Sequence, residues 1–122
     1  PTSFNESLRT IADLKGKNVL FVLNDRIPDG RDVSWIWDVD IEDYIDEFKN
    51  IIVSGDRAYD MGLRIKYTQP IINHSLFIIQ ENLKEAITLG LKKTPKSETL
   101  YILPTYSGML EVRKILTGKR IL

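Results

Sequence analysis

Apolar residues along this chain fall into short unbroken runs, separated by stretches where they recur every three or four positions. The runs are Val19-Leu20-Phe21-Val22-Leu23, Ile51-Ile52-Val53, Leu76 to Ile79 and Thr99 to Leu103. Consecutive apolar positions of this length predict strands covered on both faces, as in a parallel sheet. Helical spacing fills the intervals. Phe4, Leu8, Ile11 and Ala12 predict a first helix ending near Gly16, opened by a capping box of Thr2 or Ser3 with Asn5 or Glu6. Ile41, Tyr44, Ile45 and Phe48 predict a helix over 41–48 with Glu42, Asp43, Asp46 and Glu47 toward water. Ala58 to Lys66 predicts a short helix carrying Ala58, Met61, Leu63 and Ile65, its register left open by the spacing. Glu81 to Lys92 places Leu83, Ala86, Ile87 and Leu91 inward, and Ser107 to Leu116 has Met109, Leu110, Val112 and Ile115.

Strands alternating with helices from end to end predict an α/β fold, a three-layer Rossmann-like domain with a mostly parallel sheet and helices on both faces. The reading is one domain over 1–122, with a lead-in helix over 1–16 and an α/β core over 17–122. The chain opens on Pro1 rather than Met, the expectation for a segment cut from a longer polypeptide. Its linker-like stretch, Lys92-Lys93-Thr94-Pro95-Lys96-Ser97, reads as a polar surface connection.

Composition narrows the chemistry. Seventeen basic and seventeen acidic residues cancel, so no global field argues for nucleic acid or an anionic membrane surface. Without cysteine the chain offers no disulfide, thiolate zinc site or cysteine nucleophile. No apolar run approaches the roughly 18 residues of a membrane span, and nothing resembles a signal peptide. The expected location is cytoplasmic.

Local charge is another matter. Asp25, Asp29, Asp32, Asp38, Asp40, Glu42, Asp43, Asp46 and Glu47 meet only Arg26 and Arg31, around Trp35 and Trp37 and just past the first strand. Loops leaving the carboxyl ends of parallel strands are where ligands and partners meet an open sheet. Clustered carboxylates can suit calcium or magnesium, but Asp25, Asp29, Gly30 and Asp32 lack the alternate spacing of an EF-hand loop, so no metal is expected. At least one tryptophan is expected to plug the core. The aspartates, held close together, repel one another unless a cation or imidazolium of a partner arrives. Thr105, Tyr106 and Ser107 at the start of the last helix could bind an anion, though a plain cap is the commoner role of such hydroxyls. Asp56, in Ser54-Gly55-Asp56-Arg57, is expected to cap the following helix, and Arg57 to pair with the loop acids. His74 reads as a surface histidine.

The stretch LND followed by DGRDVSWIWDVD, then VSGDRAYDMGLRIKY and YILPTYSGMLEVRKIL, resembles the C-terminal domain of MurT-type Mur ligase homologues, in order and over nearly the whole chain. The opening PTSFNESLRTI is similar to the segment that enters that domain. The resemblance implies a synthetase subunit of lipid II isoglutaminyl synthase. That enzyme uses ATP to activate the D-glutamate carboxyl of the stem peptide and ammonia to amidate it to D-isoglutamine. It further implies a GatD-like glutaminase partner with a Cys-His pair, whose third member is an aspartate lent by this domain. Asp32 is the expected donor, with Asp38 and Asp29 as alternates. Asp29, Arg31, Trp35, Trp37 and Asp38 are the expected partner-binding residues, and the central ATP-binding domain and lipid II complete the implied partners.

Neither a GxxxxGK[ST] loop nor the cysteines of the family's zinc-binding insertion are present, so this segment by itself is expected to hold no cofactor and to ligate nothing. ATP and Mg2+, with zinc as a further candidate, belong to the full synthetase, which lipid II would bring to the inner face of the membrane. Two alternatives remain. One is a receiver-like signalling domain, which would need a phosphoacceptor aspartate after its third strand. The other is a domain that only packs against its own polypeptide.

Overall fold

The computed structural model describes residues 2–26, 29–68 and 77–118. Its core is a four-stranded, all-parallel sheet in the order β3-β2-β1-β4, built from β1 (Asn18–Val22), β2 (Asn50–Ser54), β3 (Phe77–Ile79) and β4 (Leu100–Pro104). β1 is central, pairing with β2 through Asn18 opposite Asn50 and with β4 through Asn18 opposite Leu100. All five of its residues are buried, which is why its apolar run has no polar alternation.

Successive side chains of β1 and β2 serve opposite faces. Val19, Phe21, Ile51 and Val53 join one core with Phe4, Leu8 and Ile11 of α1 (Thr2–Asp13) and Ala58, Met61 and Ile65 of α2 (Ala58–Lys66). Leu20, Val22 and Ile52 join the other, with Leu83, Ala86 and Ile87 of α3 (Leu83–Lys93) and Val112 of α4 (Tyr106–Thr117). The chain walks from β1 to β3 over the first face, then returns past β2 and β1 to β4 over the second. Reversing both direction and face keeps one hand, as the right-handed crossover rule requires. The reversal falls between β1 and β4, so a crevice opens at their carboxyl ends.

Several expectations change. Residues 41–48 form no α-helix; two 3-10 turns, Ile41–Asp43 and Ile45–Glu47, follow another at Ser34–Asp38. An α-helix there would stack like charges four apart at Glu42/Asp46 and Asp43/Glu47. The inward set survives the change: Ile41, Ile45 and Phe48 are buried. In α3, Leu91 faces solvent instead of the sheet; in α2, whose register the sequence leaves open, Leu63 faces solvent, and Gly62 and Gly90 take inner positions. Gly62 abuts Ile79 and Gly90 abuts Leu100, and a β-carbon at either would push the end of that neighbouring side chain aside. α1 begins at Thr2, whose side chain lies outside the described residues, as do Leu76 and His74. No described helix is long and apolar enough to cross a membrane.

Gly55, just after β2, has φ +100, and a β-carbon there would stand 2.6 Å from the Leu23 carbonyl oxygen and 2.7 Å from Asn24 Oδ1. A Gly55→Ala protein is therefore expected to lose about 2 kcal/mol or more of stability, read as a lower denaturant midpoint at unchanged slope.

Candidate functional site

The carboxyl ends of β1, β2 and β4 carry the acidic loop, the Ser54 to Arg57 turn and the start of α4. Asn24, the second residue beyond β1, is buried and links all three. Its backbone N–H donates to Thr105 Oγ1 (3.2 Å), and its Oδ1 accepts from the Asp56 N–H (3.0 Å). Its Nδ2 finds no acceptor among the described residues.

The loop acids do not act alike. Asp25 pairs with Arg57 at 3.4 Å, and Arg57 is also bound to Asp60 at 2.7 Å. The Asp60 hydrogen bond, and then the Asp25 contact, hold the Arg57 guanidinium above its ordinary pKa. Asp29 reaches the N-terminus of α4, accepting from the Ser107 N–H at 3.1 Å and from the Ser107 hydroxyl. The positive end of that helix is thus met by a carboxylate of the same chain, which supplies the cap expected of Thr105 or Ser107. Tyr106 stays largely exposed. Asp56 does not cap α2; both its oxygens take hydrogen bonds from Arg26 (2.8 and 2.9 Å), and Arg26 also binds Glu111 at 2.8 Å.

Asp32 is exposed, and its Oδ1 accepts from the Ser34 N–H at 2.9 Å. That bond, then the Ser34 hydroxyl, then the charge of Arg57, hold its carboxyl below the ordinary aspartate range. Asp38 is exposed at the end of the 3-10 turn, and Arg31 is exposed with its carbonyl accepting from Arg57 Nη1 at 2.8 Å. Among the described residues no three acids or histidines converge as metal ligands.

Neither tryptophan is the buried plug. Val33, Ile36 and Val39, three apart on the 3-10 path, fill the core. Trp35 is half-buried with its ring edge-on to Phe4, centroids 5.4 Å apart, and Trp37 is 48% exposed.

Sequence reasoning missed Arg64. It is 3% exposed on the inner side of α2, and donates from Nε to the Ile36 carbonyl (2.8 Å) and from Nη2 to the Val39 carbonyl (2.7 Å). Its guanidinium also lies 5.4 Å from the Trp37 ring centroid and meets Glu42 at 2.5 Å. The signal was present: Met61 and Ile65 define the inner face of α2, and Arg64 falls on it. A cation there needs acceptors, and loop carbonyls are the available kind.

Two expectations follow. Arg64→Ala should cost about 3 kcal/mol, because two buried carbonyls lose a charged donor, and the emission of Trp37 should shift. Asp56 titrates lower in the folded chain than unfolded, chiefly through the Arg26 hydrogen bonds. Its stabilisation is complete above the ordinary aspartate range and is lost as pH falls through the folded value. Asp56→Asn should therefore flatten the acid limb of a plot of denaturation midpoint against pH.

Comparison with known proteins adds a family. The family model described as MurT ligase C-terminal matches residues 1–109. The chain is similar to the lipid II isoglutaminyl synthase (glutamine-hydrolyzing) subunit MurT of Staphylococcus aureus strain COL, 42% identical over 77 residues, which are 59% of this chain and 18% of that protein. It is also similar to the subunit of the same name from Streptococcus pneumoniae strain R6, 32% identical over 101 residues, 82% of this chain and 22% of that protein. The chain thus spans about a fifth of the length of these curated relatives. No solved structure gives a significant match. An all-parallel α/β layer with its acidic loop at the switch point, matched by that model over most of its length, belongs to the MurT ligase C-terminal family.

Proposed function

We propose that this chain is the C-terminal part of the synthetase subunit of a glutamine-hydrolysing lipid II isoglutaminyl synthase, and that it docks the glutaminase subunit and lends it a carboxylate. The observation that carries the reading is the state of Asp32. It is exposed, ionised well into mild acid, and fixed by the Ser34 N–H on a loop tied to its neighbours on both sides. Asp29 has both oxygens committed to Ser107 and Asp25 is paired with Arg57, which leaves Asp32 first and Asp38 second as acids free to face a partner.

A carboxylate so held can accept the N–H of an imidazole from the glutaminase. It would fix the tautomer and orientation of that ring and stabilise the imidazolium formed when a cysteine thiol gives up its proton to attack glutamine. The Arg57 charge and the Ser34 hydrogen bonds keep the acid from taking that proton itself, so it acts as an orienting anion. The ammonia released would then serve the synthetase, whose ATP and Mg2+, and any zinc, would be held by the rest of the polypeptide. Lipid II would bring the whole complex to the inner face of the membrane.

In the full synthetase assembled with its glutaminase, Asp32→Asn is expected to lower glutamine turnover by roughly 10³ to 10⁴ with assembly intact. Asp38→Asn should have a smaller effect, and Asp29→Asn should act mainly on stability, by removing the negative charge and one of the two acceptors at the start of α4. Full glutaminase activity in all three variants would end the idea of a lent carboxylate; full activity in Asp32→Asn alone would move the role to another acid.

A further inference from the structure

The crevice at the carboxyl ends of β1 and β4 holds a cavity of about 350 Å³, whose walls include Phe4, Asn24, Asp29, Trp35, Thr105 and Tyr106. That volume suits a small molecule. Asn24 is the wall residue with an unmet need. It is 1% exposed, its Oδ1 is held on the β2 side by the Asp56 N–H, and its Nδ2 has no acceptor among the described residues. Asn24 lines this cavity and not the neighbouring one bounded by Gly55 and Asp56, so the idle donor belongs on the β4 side. A buried donor left without an acceptor costs about 1–3 kcal/mol. Turning the amide over gives no relief, because it would set Nδ2 against a second donor, the Asp56 N–H.

The other walls restrict what can supply the acceptor. Among the described residues no lysine or arginine lines the cavity, and Asp29 is its charged group. A phosphate or carboxylate would meet that charge with nothing to offset it. The positive end of α4, which could otherwise draw an anion, is already met by Asp29 through the Ser107 N–H and hydroxyl. Each Asp29 oxygen has used one of its two lone-pair positions there, so the carboxylate can still accept a further donor. Phe4 and Trp35, packed edge to face, and Tyr106 add flat apolar surface.

We infer that this cavity binds a neutral primary carboxamide, whose oxygen accepts from Asn24 Nδ2, whose nitrogen donates to Asp29 and whose carbon stem lies against the aromatic walls. The ligand's chemistry is read from the cavity alone. The choice of amides to test rests on the reading under Proposed function, in which glutamine carries one such group and isoglutamine another.

The test uses the full synthetase subunit without its glutaminase, so that no glutamine-hydrolysing site is present, and reads binding by titration calorimetry. L-glutamine and D-isoglutamine are each compared with the acid lacking the amide, L-glutamate and D-glutamate. At least one amide is expected to bind about tenfold or more tightly than its acid, and the one that does identifies the source. Asn24→Asp keeps the acceptor for the Asp56 N–H and removes the donor, while Tyr106→Ala changes a wall residue that is 55% exposed and leaves the fold untouched. Amide binding is expected to weaken about tenfold or more in the first and severalfold in the second. Failure of both amides to bind, equal binding of amide and acid, or unchanged binding in either variant shown by circular dichroism to fold would overturn the site, its donor then being met by a buried water. If that happens while Asp32→Asn still suppresses glutamine turnover, the lent carboxylate stands without the cavity. An amide site that persists although Asp32→Asn retains full turnover stands without the lent carboxylate.

Discussion

The acidic rim is held in place by one guanidinium buried beneath it. The connection from β1 to β2 is made of 3-10 turns, which leave more carbonyls without intrasegment partners than an α-helix would, and buried carbonyls must be satisfied from somewhere. Arg64 supplies the donor for the Val39 carbonyl from a neighbouring helix, and a second, charged donor for the Ile36 carbonyl, which also accepts from the Val39 N–H. Each tie elsewhere along the segment repeats the arrangement with a different element: Arg26 to Asp56 and Glu111, Asp29 to the start of α4, Arg57 to the Arg31 carbonyl, and Asn5 of α1 to Asp40 through both atoms of its amide. A segment without regular structure is thereby given the positional definition of a helix.

What the fixing leaves unfixed is the part able to do chemistry. The acids fall into two groups, those consumed by the fold and those left facing outward. Asp25, Asp29, Asp40 and Asp56 are consumed; Asp32 has one short-range tie, and Asp38 has none among the described residues. Repulsion among the carboxylates is therefore relieved mostly inside the chain, by Arg26 and Arg57, and only in its outermost members would it be relieved by a partner.

Elements with a single dominant period were legible in the sequence. The unbroken run from Val19 to Leu23 marked the central strand, because a strand paired on both edges and covered on both faces favours apolar side chains throughout, its one polar residue, Asn18, being hydrogen-bonded at the strand's start; α2 was found at its observed limits. The 3-10 path was not legible, since Ile41, Tyr44, Ile45 and Phe48 fit a helical face equally well and only charge repulsion decides against it. The tryptophans misled for a related reason: in an extended segment the aromatics would alternate inward, whereas a three-residue period turns Val33, Ile36 and Val39 to the core. The acidic loop stood out as the candidate site from its position and charge. The division of its acids was not, because each partner, such as Ser107 for Asp29, lies far away in sequence.

The ties between the acidic segment and its surroundings impose a consequence for how this family can vary. From Asp29 to Asp40 the segment is fastened to α1, α2 and α4 through the Asp29 side chain and through the backbone at 31, 36, 39 and 40. One residue inserted between Arg31 and Ile36 would rotate the 3-10 path by about a third of a turn and point Ile36 at water. Substitutions on the outer surface disturb none of this, so sequence drift there is cheap while insertions and deletions are not. Length, more than chemistry, is what evolution must hold constant in this stretch.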